Sequence, residues 1–187
     1  MPHYKVDPAT AAEFAEMAGD DPPEDSELFT YEPAEATINF NAVAVGLRNL
    51  RDALVELGYD VVECTYDGGY DEGFAHFDAA FGADGGIDAS ALSERFTHGA
   101  GLLKESPWIN PLLPERANQA HVERWQTTAH DQRVTQWLDV LADTLASKLL
   151  GAGYGTGEAA IRGRLRCELK NGHITDVEEN PPASDYW

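Results

Sequence analysis

One order of elements, repeated along the chain, most constrains the fold: a helix with a single apolar stripe, then two strands, at 41–78 and again at 131–178. In the first unit Val43, Leu47, Leu50, Leu54 and Leu57 recur at helical spacing from Asn41 onward. Arg48, Arg51, Asp52 and Glu56 fall outside the stripe and Gly58 stands as C-cap. Tyr59 to Tyr66 is rich in Val, Cys, Thr and Tyr and predicts a strand, with Phe74 to Phe77 as its hairpin partner across a loop at 67–73. In the second unit Val134, Trp137, Leu138, Leu141, Leu145 and Leu149 form a broad apolar helix face. Beyond it Ile161, Leu165, Cys167 and Leu169 alternate with Arg162, Arg164, Arg166 and Glu168, a period-two strand. Each unit must bury one face, and the two do so together. The prediction is an α+β fold: an antiparallel sheet built from two hairpins with helices packed on one face.

The turn of the second hairpin is at Lys170-Asn171-Gly172, and its length follows from which residues would oppose one another. A two-residue loop sets Asp176 against Cys167 and Glu178 against Leu165, placing carboxylates on the apolar face. A three-residue loop instead pairs Arg166 with Asp176, Arg164 with Glu178 and Leu165 with Val177. The three-residue loop is therefore expected, with the arginine row neutralised from the neighbouring strand.

Elsewhere the signals are shorter. Asp7-Pro8 starts a helix carrying Ala11, Phe14, Ala15 and Ala18, and the acidic, proline-bearing run from Asp20 to Asp25 reads as an extended linker. A short helix is expected from Asp88 or Ser90, with Leu92 and Phe96 facing inward. The region 115–150 reads as helical with a break near Thr127-Thr128. Between them, Leu102, Leu103, Trp108, Ile109, Leu112 and Leu113 are interrupted by Pro107, Pro111 and Pro114; the segment reads as either a wrapped core segment or an exposed binding stretch, and ordinary packing is the expectation. The organisation is thus an acidic helix and linker arm over 1–36, one α+β domain over 37–180 and a tail over 181–187.

The net charge of −20 is uneven. Residues 1–36 hold ten acids against Lys5, and residues 52–94 hold eleven acids with no Lys or Arg; from Arg95 onward twelve acids meet ten bases. Phosphate contacts need clustered cations, so direct binding to nucleic acid or anionic lipid is not expected. No apolar run approaches the roughly 20 residues of a membrane span, and Met1-Pro2-His3-Tyr4 lacks a signal-peptide layout, so a soluble cytoplasmic protein is expected. Cys64 and Cys167 sit among apolar neighbours in the strands and read as small buried hydrophobes.

Catalytic patterns are few. The histidines at 3, 76, 98, 121, 130 and 173 form no metal-ligand spacing, and there is no nucleophile elbow. Gly151 to Gly157 follows a helix and opens a strand, the reverse of a phosphate cradle, and reads as a helix cap and connector. The run Tyr66-Asp67-Gly68-Gly69-Tyr70-Asp71-Glu72-Gly73 concentrates oxygen ligands on flexible backbone, which suits Ca²⁺ but lacks the twelve-residue spacing of an EF-hand. A solvated turn in which the aspartates cap their own backbone is the plainer reading.

This same run resembles the Tyr-Asp-Gly-x-Gly-Asp-Ser-Gly signature of an uncharacterised bacterial domain family of unknown function, with Tyr70 in place of a glycine and Glu72 in place of a serine. Gly153-Tyr154-Gly155 is similar to that family's second glycine-aromatic-glycine element. The resemblance implies that both hairpins belong to one small domain, and implies no chemistry.

The expectation for function is a non-enzymatic interaction protein whose acidic half docks on a basic protein. Carboxylates along a surface can imitate a phosphate backbone, so a nucleic-acid-binding protein, for example in a bacterial or phage defence system, is the expected partner. Asp20, Asp21, Glu24, Asp25, Glu63, Asp67, Asp71 and Glu72 are the candidate interaction residues. No cofactor is expected. The alternative is a divalent cation held by Asp67, Asp71 and Glu72, with His76 nearby, serving metal binding or hydrolysis.

Overall fold

The computed structural model describes residues 3–6, 29–32, 34–69, 72–96, 106–109, 112–151 and 161–177. Strands β1 (His3–Val6) and β2 (Phe29–Glu32) pair antiparallel as a separate two-stranded sheet. The rest of the described chain is β3 (Glu35–Thr37), α1 (Val45–Glu56), β4 (Tyr59–Gly69), β5 (Glu72–Gly82), β6 (Gly85–Ile87), α2 (Ala89–Arg95), α3 (Glu115–Thr127), α4 (His130–Leu150), β7 (Ile161–Glu168) and β8 (His173–Val177). Six of the strands form one antiparallel sheet in the order β3-β8-β7-β4-β5-β6. The two hairpins meet along β4 and β7, and the α+β arrangement is the expected one. No helix among the described residues is long and apolar enough to cross a membrane.

Alternation decides which face is inner. Val62, Cys64 and Tyr66 of β4, Ala75 and Phe77 of β5, Leu165 and Cys167 of β7, and Ile174 of β8 are buried. Against them lie Leu47, Leu50 and Leu54 of α1 and Val134, Leu138, Leu141 and Leu145 of α4, each set spaced three or four residues apart. α2 packs on α4 through Leu92, with Phe96 just beyond its end; Asp88 caps its N-terminus by accepting from the Ala91 N–H at 2.8 Å. α1 starts at Val45 rather than Asn41. Ahead of it Asn39 closes a turn, its carbonyl accepting from Ala42 N at 2.9 Å and its side chain from Asn41 N at 3.0 Å.

The second hairpin departs from expectation. Its register sets Arg164 against Val177, Leu165 against Asp176, Arg166 against Thr175 and Cys167 against Ile174, so the loop is four residues, Leu169–Gly172. Gly172 N donates to Glu168 O at 2.8 Å, and Gly172 has φ +72°, where a Cβ would meet the Ile38 carbonyl oxygen at 2.0 Å. Leu169 is buried as a loop residue, which takes up one more position of the apolar series than a three-residue loop allows. A carboxylate on the apolar face is tolerable here because it is hydrogen-bonded. Asp176, 5% exposed, accepts from the hydroxyl of Tyr66, 1% exposed, at 2.9 Å. Tyr66 reaches β8 by lying across β7 at its partner position Gly163, where a Cβ would fall 2.3 Å from the hydroxyl oxygen.

Two further expectations change. The presumed loop 67–73 is largely strand, since β4 runs to Gly69, β5 begins at Glu72, and Asp67 pairs with Phe74. The expected domain start at Thr37 falls inside β3, whose Glu35, Ala36 and Thr37 pair with Thr175, Ile174 and His173. The arm helix from Asp7, the linker at 20–25 and the tail at 181–187 lie outside the described residues.

Tyr66→Phe leaves a buried carboxylate short of one donor and should lower unfolding stability by about 1–3 kcal/mol in urea denaturation. Gly163→Ala, which forces the ring off Asp176, should cost at least as much; a neutral result for both would remove this contact from the basis of the register.

Candidate functional site

With Val62, Cys64 and Tyr66 turned inward, Glu63, Thr65 and Asp67 stand on the opposite face of β4. Glu63 lies between two arginines of β7. Its Oε2 accepts from Arg164 Nη2 at 3.0 Å and its Oε1 is 3.2 Å from Arg166 Nη2. Arg164 and Arg166 therefore form a structural ladder, but their shared counter-ion is Glu63 of β4; the expected Asp176 faces the core, and the expected Glu178 lies outside the described residues. Arg166 also lies 5.9 Å over the Phe81 ring. Expected as an interaction residue, Glu63 is engaged inside the sheet.

The neighbouring strand adds a second polar group. A bulge in the β4–β5 pairing between Glu63 and Cys64 leaves Asp78 as an extra residue, where it accepts from Thr65 Oγ1 at 2.7 Å. Asp139 of α4 accepts from the Phe77 N–H at 3.4 Å and lies 3.6 Å from His76 Nδ1, so a helix carboxylate covers part of the β5 edge. Phe74, 50% exposed, has its ring 5.6 Å from that of His76.

The expected metal set is differently arranged. Asp67 is a β4 residue whose backbone pairs with Phe74 on one side and Arg162 on the other; Glu72 opens β5 opposite Gly69. Asp71 lies outside the described residues, as do Asp20, Asp21, Glu24 and Asp25. Among the described residues no three His, Cys, Asp or Glu side chains converge as a metal site.

Carboxylates that sequence patterning did not single out flank one backbone contact instead. Gly58, which follows α1, abuts Gly82 at the end of β5, where a Cβ would meet the Gly58 carbonyl oxygen at 2.2 Å. Glu56 and Asp60 lie two residues to either side of Gly58, and Asp84 lies two residues beyond Gly82. All three are exposed; Asp60 meets Lys170 Nζ at 2.7 Å, while Glu56 and Asp84 have no ion pair among the described residues. Their proximity depends on β4 and β5 being long enough to bring the α1–β4 and β5–β6 turns together. Sequence signals for that length were masked by the glycines at 68, 69 and 73.

Both cysteines are buried and free. Burial, then the neighbouring Asp78, holds the Cys64 thiol well above its usual range; burial, then Glu168, pushes Cys167 up to about 12. Such thiols are not nucleophiles. No family model, curated protein or solved structure matches this chain.

Glu63→Gln should lower stability by about 1 kcal/mol in urea, with the difference shrinking at high salt as the ion pairs are screened. A thiol reagent at mildly alkaline pH should label neither cysteine in the folded protein and both after denaturation; rapid labelling of either in the native state would contradict the burial described above.

Proposed function

We propose that the protein is a non-enzymatic interaction protein that docks its acidic half on a basic protein surface, with a nucleic-acid-binding protein as the partner class. The observation that carries this reading is the segregation of charge: eleven acids and no Lys or Arg over residues 52–94. Its cationic complement within the sheet is small. Arg164 and Arg166 share Glu63 and Lys170 meets Asp60, whereas Glu56, Asp84 and Glu94 remain exposed with no ion pair among the described residues. A surface of this kind draws a basic partner over a Debye length of about 10 Å and loses that pull as salt rises.

The docking corner in this reading is Glu56, Asp60 and Asp84. Rigid backbone holds it, between a helix end and two paired strands, so little ordering entropy opposes binding there.

Capture from lysate at low and high ionic strength tests the proposal, with the wild type and the triple variant Glu56→Gln, Asp60→Asn, Asp84→Asn as baits. The expected result is a basic, nucleic-acid-binding protein retained at low salt and released at high salt, with about tenfold less recovered on the triple variant. Retention of no basic protein at low salt sinks the proposal. Equal capture by the triple variant moves the surface away from this corner.

A further inference from the structure

We propose that the cavity between α3, the start of α4 and the 106–109 segment binds a small aromatic carboxylate. The cavity has a volume of about 220 Å³ and lies apart from the acidic corner. Among the described residues its apolar walls are the indoles of Trp108 and Trp125, and its lining also includes Arg124, His121, Ser106, Thr128 and Gln136. In a chain of net charge −20, no lining side chain among the described residues is a carboxylate.

The helix brings these groups together. His121, Arg124 and Trp125 are spaced i, i+3 and i+4 and so share one face of α3. Trp125 is one of two buried residues on this helix, and the guanidinium of Arg133 lies 5.3 Å over its ring while Arg133 Nε donates to Thr128 O at 3.0 Å. Arg133 thereby holds the Trp125 ring at the junction of α3 and α4. Trp108, 55% exposed, forms the rim, and Ser106, buried beneath it, accepts from Trp108 N at 3.3 Å.

Neither the Arg124 guanidinium nor the His121 ring has a hydrogen-bond or ion-pair partner among the described residues. A planar guanidinium without a counter-ion matches a carboxylate bidentately. Two indoles supply apolar wall for an aromatic ring, and the volume sits below the roughly 300 Å³ at which drug-sized pockets begin, which limits the ligand to about one ring and its acid group. The combination selects an aromatic anion over an aliphatic acid, which lacks the ring, and over a neutral aromatic, which leaves Arg124 unpaired.

Benzoate, benzyl alcohol and acetate serve as probes, followed by NMR through the indole N–H signals of the full chain. Benzoate is expected to shift the Trp108 and Trp125 signals saturably while Trp137 stays unmoved, and to bind about tenfold more tightly than either benzyl alcohol or acetate. Arg124→Gln should remove that preference, leaving benzoate no better than benzyl alcohol, and Arg124→Lys should restore part of it. Trp108→Ala, at an exposed position that does not threaten folding, should weaken benzoate and benzyl alcohol alike. Absence of a saturable shift up to about 10 mM benzoate, or benzoate binding unchanged in Arg124→Gln, overturns the assignment. Because Glu56, Asp60 and Asp84 take no part here, loss of benzoate binding and loss of partner capture are separate failures.

Discussion

The hydrogen bond from the Tyr66 hydroxyl to Asp176 ties three strands at once, because the ring starts on β4, crosses β7 at Gly163 and ends on β8. A slip of one residue at either strand boundary turns every side chain to the other face. A slip of β7 would bury Arg164 and Arg166, expose Leu165 and Cys167, and replace Gly163 beneath the Tyr66 ring, taking the Tyr66 donor from Asp176. An unsatisfied buried charge costs far more than one good contact returns, so the bond acts as a register lock as much as a source of stability. The inner face, and with it the seat of α1 and α4, follows from that register.

The outer face follows too. With β7 in register against β4, Glu63 is opposite Arg166 and two residues from Thr65, the partner of Arg164, and both arginines reach it. Lys170, in the loop that the same register sets at four residues, reaches Asp60. The acidic and near-neutral halves of the chain are therefore joined by an ionic seam that uses three cations on two acids. Acids away from the seam gain nothing from it, and this is why the corner at Glu56 and Asp84 stays negative while the middle of the sheet is balanced.

Helical elements were the legible part. Leu47, Leu50 and Leu54 mark α1, the series from Val134 to Leu149 marks α4, and the break near Thr127-Thr128 separates α3 from α4, while of the two starts open for α2, Asp88 or Ser90, the structure has Asp88 as the cap. Strand ends were not legible. Gly68, Gly69 and Gly73 are turn formers by propensity, yet the pairing of Gly68 with Gly73 is held by the tertiary ladder. β3 and β6, three residues each, carry no periodic signal and exist as edges only because β8 and β5 offer partners. The register of the second hairpin was misjudged for one reason: a carboxylate on an apolar face looked inadmissible, and its donor lies 110 residues away in sequence. The candidate site shared this fate, since Glu63 and its two arginines are brought together by the β4–β7 pairing, which no local pattern encodes. Trp108, Leu112 at 90% exposure and Leu113 also contradict the expected core packing of their segment.

α3 stands in contrast to the sheet. It buries only Asn118 and Trp125, and its C-terminal end is fastened to α4 through Arg133, which meets both Trp125 and the Thr128 carbonyl. Elements with few buried apolar contacts open at lower free energy than the core they sit on. The sheet, locked by Tyr66 and stitched by Glu63, has no comparable freedom. Cations are used differently in the two places as well: Arg164 and Arg166 of β7 share Glu63, whereas Arg124 lines a cavity with no acid among its described lining residues. The exposed acids near Gly58 and Gly82 thus stand at the ends of paired strands, whereas Arg124 stands on a helix that buries two residues.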